Sequence, residues 1–259
     1  MYGGAGNVIN IYKPAGWTPV QAIERLKILC PPLHDQKVAC AGRLDPMAEG
    51  VLLVLIGETL KRFDEFCGFD KEYEAEVIFG ITSDSGDVMG IVESQRAESH
   101  KVIKSVEGVI NNFVGELRLP VPVYSSWRVQ GKSIYWWARQ GRLGEIDVPM
   151  HEFTVYKAEL LGIGEIVIEE LKQSVMGRLE VVYGDFRQEE IKKQWERVVE
   201  NRYEPFQSVK FRIHCTSGTY VRSIVQEMGR QIGVEILLYK LIRTRVGEYT
   251  YDASQSLFG

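Results

Sequence analysis

Asp45 stands in the stretch Gly42-Arg43-Leu44-Asp45-Pro46-Met47-Ala48-Glu49-Gly50, directly before the apolar run Val51 to Ile56. A carboxylate at a sharp turn between a loop and a buried segment is aimed by the backbone. Held in a cleft, it can serve as a base or a nucleophile. An Asp before Pro is also a good helix N-cap, with Pro at the first helical position, and an arbitrary Asp-Pro pair is best read that way. A second segment, Tyr124 to Gly141, interleaves Tyr124, Trp127, Tyr135, Trp136 and Trp137 with Arg128, Lys132 and Arg139 and holds no acid. Aromatic rings and guanidinium groups are what unpaired bases stack on and phosphates pair with. At least half of these rings are equally expected in a core.

Other chemistries fail on inspection. Gly131-Lys132-Ser133 ends like a phosphate-binding loop, but the upstream glycine position is Ser126. Gly3, Gly4 and Gly6 follow no strand, so they do not read as a dinucleotide loop. Asp84 and Asp87 lie in Ser83-Asp84-Ser85-Gly86-Asp87, which reads as a solvated turn rather than a metal site. The histidines are scattered, and His214, in a strand, is expected to be structural. Cys30, Cys40, Cys67 and Cys215 lie far apart, which argues against zinc and against a disulfide framework. A reducing cytoplasm is the expected location.

At 259 residues, 45% hydrophobic and 25% charged, the chain reads as soluble and globular with a real core. No apolar run approaches the roughly 18 to 20 residues of a membrane helix. The net charge of −4 argues weakly against a nucleic-acid partner. Its distribution argues the other way. Residues 64–98 hold ten acids and two bases, residues 118–142 five bases and no acid, and residues 208–247 seven bases against Glu227 and Glu235. Such segregation can build a positive face, although a cluster in sequence need not be one in space.

The elements that must position these residues follow from periodicity. Residues 8–12 form a short strand. Thr18-Pro19-Val20-Gln21 has the form of a capping box with Pro at N1, and Ile23, Leu26 and Leu29 form the stripe of a helix that Pro31-Pro32 ends. Val51 to Ile56 is a buried strand. Tyr73, Ala75, Val77 and Phe79 share one face of a strand whose other face carries Glu72, Glu74 and Glu76, so a half-exposed strand is expected. Ser99 caps a helix with Val102, Val106, Val109 and Phe113 inward. Val209 to Cys215 alternates as a strand, Ser217-Gly218-Thr219 turns, and Tyr220 to Ile232 is a helix. Ile236, Leu237, Leu238 and Leu241 close the core. Strands and helices mix without steady βαβ alternation, so the fold class is α+β, with a mixed, largely antiparallel sheet flanked by helices. Residues 165–205, with Ile191, Trp195 and Val198 at helical spacing, read as a solvated amphipathic helix. They are expected to be a peripheral elaboration of a single domain spanning 1–259.

Six segments in order resemble the TruB family of tRNA pseudouridine synthases. Lys13-Pro14-Ala15-Gly16 is similar to the family's K-P-x-G element, and Gly42 to Gly50 to its G-x-L-D-P-x-A-x-G motif. Lys71-Glu72-Tyr73 is similar to K-x-Y. Tyr124-Ser125 through Gly131, Tyr135, Ala138-Arg139 and Gly141 follow Y-S-x-x-[KR]-x-x-G-x-x-x-Y-x-x-A-R-x-G. Cys215 to Ser223 matches C-[ST]-x-G-T-Y-[IV]-R-[ST], and Leu241-Ile242-Arg243-Thr244 matches L-x-R-T. The resemblance implies that Asp45 is catalytic and that Tyr73 packs on the target base. It further implies that Tyr220 and Arg222 bind substrate, with Arg222 the partner of Asp45, and that Leu241 lines the base pocket. Where the family usually has His-Thr before the motif's first Gly, this chain has Cys40-Ala41. That His helps place flipped nucleotides, and Cys40 is expected to cover part of its role by packing. The family's Q-x-P-P is Leu119-Pro120-Val121-Pro122 here. The chain stops soon after Gly247-Glu248-Tyr249, so no PUA domain is expected.

The implied activity is conversion of uridine to pseudouridine in the T-loop of tRNA, position 55 in standard tRNA numbering. An N-glycosidic bond breaks, the base turns over, and it rejoins through carbon. That isomerisation involves no redox step and no phosphoryl transfer, so no cofactor or metal is expected. The family's carboxylate attacks the ribose or the base, or abstracts a ribose proton. Its logic parallels that of retaining glycosidases. Other readings are a tRNA-folding helper that needs no chemistry and a pseudouridine synthase aimed at ribosomal RNA. A monomer with no obligate protein partner and no membrane association is expected.

Overall fold

The computed structural model describes residues 8–95, 106–200 and 202–258. The expected Ser99 cap and Val102 lie outside the described residues. Of that helix, α3 (Val106–Asn111) is seen, with Val106 and Ile110 buried.

Among the described residues nine strands form one sheet. Its path runs β1 (Val8–Lys13), β3 (Glu49–Ile56), β12 (Ile236–Val246), β4 (Lys71–Phe79), β11 (Phe206–Cys215), β10 (Met150–Ile166), β7 (Gly115–Pro120). β2 (Val38–Ala41) pairs with β3, and β13 (Tyr249–Thr250) with β12. Every pairing is antiparallel except β3 with β12, which run parallel through Ile242–Glu49 and Arg243–Gly50.

The strand expected to be half-exposed, β4, is central. Ile78 and even Glu76 are buried. The expectation holds for Glu72 and Glu74, whose side chains stay 27% and 34% exposed, and fails at Glu76; all three acids face cations on the neighbouring strands. Arg212 meets Glu74 at 2.5 Å and Lys210 meets Glu76 at 3.7 Å from β11; Arg245 meets Glu72 at 3.8 Å from β12. Opposite charges across a ladder contribute roughly 0.2–1 kcal/mol each. Three acids of the 64–98 block are thus matched by three cations of the 208–247 block.

α1 (Pro19–Leu29) begins with the expected box: the Gln21 N–H donates to Thr18 Oγ1 and the Thr18 N–H to Gln21 Oε1. Residues 165–205 correct the expectation of a solvated periphery. They end β10 and form a hairpin of two helices, α5 (Ile168–Val181) and α6 (Gln188–Glu200). Ile191 and Trp195 are fully buried in the same apolar cluster as Val77, Phe211 and Leu238 of the sheet. α6 is amphipathic as expected, but its apolar stripe completes the main core.

Gly50 sits at the parallel junction with φ +109, and a Cβ there would lie 2.3 Å from the Arg243 carbonyl oxygen. No side chain fits between the strands. Gly50→Ala is expected to lower the unfolding free energy by more than about 2 kcal/mol in urea denaturation. A loss under about 0.5 kcal/mol would show that the junction tolerates separation.

Candidate active site

Asp45 is not a helix cap. The Ala48 N–H donates to its carbonyl at 3.0 Å, so Asp45 to Ala48 form a tight turn with Pro46 at the position where its fixed φ is favoured. Leu44, Met47 and Ala48 are buried in the main core and anchor the turn on either side of the carboxylate.

Two fully buried cations grip the loop by its backbone. Lys13 Nζ donates to the carbonyls of Ala48 (2.5 Å), Trp17 (2.7 Å), Pro14 (2.9 Å) and Pro46 (3.4 Å). Arg243 donates from Nε to Val51 (2.8 Å), from Nη1 to Arg43 (3.2 Å) and from Nη2 to Gly42 (3.1 Å). Burial pulls the Lys13 pKa down to about 7, and the charge of Asp45 works against that fall. Lys13 thus holds the loop after Asp45, and Arg243 holds it on both sides.

Arg222, near the start of α7 (Val221–Ile232), crosses to this turn. Its Nη2 lies 2.7 Å from Asp45 Oδ2; the guanidinium side chain is 4% exposed and the carboxylate 42%. Nη1 donates to the Ser85 carbonyl and Nη2 to the Tyr124 carbonyl, each at 3.1 Å. Nε faces Asp87 Oδ2 at 3.7 Å. A guanidinium does not lose its proton, so its burial requires such partners. Burial raises the pKa of Asp87, Arg222 opposes this, and Asp45 adds to it. One buried cation is therefore shared by a buried carboxylate and a carboxylate open to a cleft.

That cleft has a volume of about 850 Å³ and contains Asp45, Tyr73, Tyr220, Arg222 and Leu241 in its lining. Tyr73 and Leu241 are buried neighbours on β4 and β12; Leu241 pairs in register with Ala75, and Arg243 with Tyr73. Burial pushes the Tyr220 phenol up, and the charge of Asp45 adds to this. Tyr124, Ser126, Arg128, Tyr135 and Arg139 form a further part of the lining. Of the aromatic segment, Trp137 is buried, whereas Trp127 and Tyr135 are exposed. A pocket of this size with a few converging charges has the dimensions of a ligand site.

Cys40 does not take the expected place. It packs against the apolar cluster under α1 and is not among the residues lining the cleft. Asp84 and Asp87 also differ from expectation, since their turn is built into the site rather than solvated. Residues that escaped sequence reasoning are Lys13, Arg243, Asp87, Asp84 and Arg187. The first two lie inside matched motifs and differ from ordinary surface cations only in being enclosed by carbonyls. The last three carry no local signal, because their roles depend on contacts across the fold.

Residues 31–175, more than half of the chain, match the family described as TruB family pseudouridylate synthase (N terminal domain). The chain is 29% identical to tRNA pseudouridine synthase B of Parabacteroides distasonis over 255 residues, covering 97% of this chain and 90% of that one. It is 26% identical to tRNA pseudouridine synthase B of Caldanaerobacter subterraneus, covering 96% and 72%. In three dimensions it is similar to a chain in the crystal structure of a Cbf5-Nop10-Gar1 complex. The TM-score is 0.57 at 20% identity, covering 96% of this chain and 52% of that one, a likeness of fold.

The carbonyl cage makes Lys13 a structural clamp for the turn. Lys13→Met keeps the length of the stem and leaves several carbonyls without a donor. It is expected to cost about 2–4 kcal/mol in urea denaturation. The exposed Lys61→Met is expected to cost less than about 0.5 kcal/mol. Equal losses would show that the cage carries no special stability.

Proposed function

Because this chain belongs to the TruB family of pseudouridylate synthases, and is thus an isomerase of uridine in RNA, we propose that its substrate is tRNA, at T-loop position 55, and that Asp45 is its catalytic carboxylate. The observation that carries this is the 2.7 Å pair of Asp45 and Arg222 at the edge of the cleft, joining residues from two distant motifs. The curated relatives named tRNA pseudouridine synthase B support tRNA as substrate.

The reaction exchanges an N1–C1′ bond for a C5–C1′ bond. C5 gives up a proton and N1 gains one, so the sum is an isomerisation. Asp45 meets the flipped nucleotide as a carboxylate whose Oδ2 is held by Arg222. That hold supplies both orientation and charge stabilisation before substrate arrives. Tyr73 packs on the uracil with its ring fixed in the centre of the sheet. Leu241 contributes apolar contact from the next strand, and Tyr220 closes the side next to Asp45. Extruding a base costs a few kcal/mol, least where it is already in a loop. The exposed rings Trp127 and Tyr135 and the bases Arg128 and Arg139 supply stacking and phosphate contacts around it. Among the described residues no helix is long and apolar enough to cross a membrane. We place the protein in the cytoplasm as a monomer, a state that sedimentation of the pure protein tests.

With purified protein and tRNA, Asp45→Asn is expected to lower pseudouridine formation by at least about a thousandfold while tRNA binding stays within about threefold of wild type. Full turnover by that variant would end the assignment. Arg222→Met is expected to lower kcat by about a hundredfold, with a smaller change in KM. Mapping pseudouridine in total RNA with and without the gene identifies the target. Loss at tRNA position 55 is expected, and loss confined to ribosomal RNA would replace tRNA as the substrate.

A further inference from the structure

The α5–α6 hairpin has no role in the reading above, yet it reaches the cleft. The short link between its helices carries Arg187, whose φ is +62. A residue with a side chain adopts this left-handed conformation at a cost, and such residues persist where the surroundings hold them. Here the Arg187 N–H donates to Asp185 Oδ1 at 3.2 Å and the Phe186 N–H to Gln188 Oε1 at 3.0 Å. The conformation aims the guanidinium at Asp84 as a two-point pair, Nη1 to Oδ2 at 2.5 Å and Nη2 to Oδ1 at 3.2 Å. The same group lies over the Tyr124 ring, 4.6 Å from its centre, and the Tyr124 hydroxyl donates to Asp84 Oδ2 at 2.9 Å. Both Arg187 and Asp84 side chains are only 18% exposed.

A second anchor lies deeper. Trp195 of α6 is fully buried and donates from Nε1 to the Val88 carbonyl at 3.0 Å. Asp84, Ser85, Asp87 and Val88 all belong to the loop between β5 (Ile81–Ser83) and β6 (Val92–Gln95). Asp45 apart, the partners of Arg222 described above sit on this loop and at Tyr124: the Ser85 carbonyl, the Asp87 carboxylate and the Tyr124 carbonyl. Arg187 ties these two segments to each other, one residue from the first carbonyl and on the same residue as the second.

We propose that Arg187 is a positioning residue for the reaction: through Asp84 and Tyr124 it fixes the two backbone carbonyls that orient Arg222 against Asp45. The α5–α6 hairpin supplies this residue and pins the loop from below with Trp195. The proposal rests on Asp45 and Arg222 being the catalytic pair. Arg187 also borders the cleft, so an alternative role in gripping RNA must be separated by the test.

The test uses the full chain, tRNA as substrate, kcat and KM measured separately, and thermal unfolding as a check on folding. Arg187→Ala is expected to lower kcat about 10- to 100-fold and to move KM less than about threefold. Arg187→Lys keeps a charge near Asp84 but lacks the planar fork, and should recover part of the lost kcat. In an Asp84→Ala background, Arg187→Ala should cost less than about threefold more, because both changes break the same link. A loss carried by KM alone, an unchanged kcat, or fully additive losses would overturn the proposal. Should Arg187→Ala not fold, Arg187→Lys alone decides, with an unchanged kcat overturning the proposal. Wild-type protein that makes no pseudouridine in tRNA would remove the catalytic reading itself. That result is distinct from an active wild type with unaffected variants.

Discussion

A buried guanidinium that cannot shed its charge is the constraint on which the site depends. Arg222 is 4% exposed and needs acceptors on every side. It takes a backbone carbonyl from the β5–β6 loop, another from Tyr124, a buried carboxylate from Asp87 and the cleft-facing carboxylate of Asp45. Three segments distant in sequence, the β5–β6 loop, Tyr124 and the Asp45 turn, are thereby required to meet at one planar group. The same group holds Asp45 at the edge of a cleft. One side chain thus joins the packing of the core to the placement of the carboxylate at the cleft.

Buried cations recur around the turn that carries Asp45. Lys13 and Arg243 point their donors at backbone carbonyls before and after it, so the turn is held by its main chain rather than by its own side chains. The sheet supports this from below. β4 lies between β11 and β12, and its acids are matched by cations on both. A strand with three glutamates can occupy the centre of a sheet because Arg212, Lys210 and Arg245 lie beside them.

Much of this was legible in the chain. The capping box at Thr18, the buried run Val51 to Ile56 and the turn and helix after Cys215 are local patterns, and local patterns survive into the fold. Asp45, Tyr73, Tyr220, Arg222 and Leu241 lie in ordered motifs and meet in one cleft. What was not legible depends on partners far away in sequence. Glu76 reads as solvent-facing until Lys210 and Ser208 are seen beside it. Asp87 reads as a polar turn residue until Arg222 is seen against it. Trp195 reads as one face of a surface helix until the loop bearing Val88 is seen to cover it. Cys40 was expected near the nucleotide, but alternation along β2 turns its side chain to the α1 side.

The parallel contact of β3 with β12 has a consequence for the order of assembly. Gly42 and Arg43 are gripped by a side chain about two hundred positions later, Arg243. At roughly 5–20 residues per second on the ribosome, the emerging amino-terminal half waits on the order of ten seconds or more for that grip. Contacts so distant make for slow, late closure. The turn bearing Asp45 is consequently expected among the last features to mature, and a nascent or prematurely ended polypeptide carries the motif without the grip that shapes it.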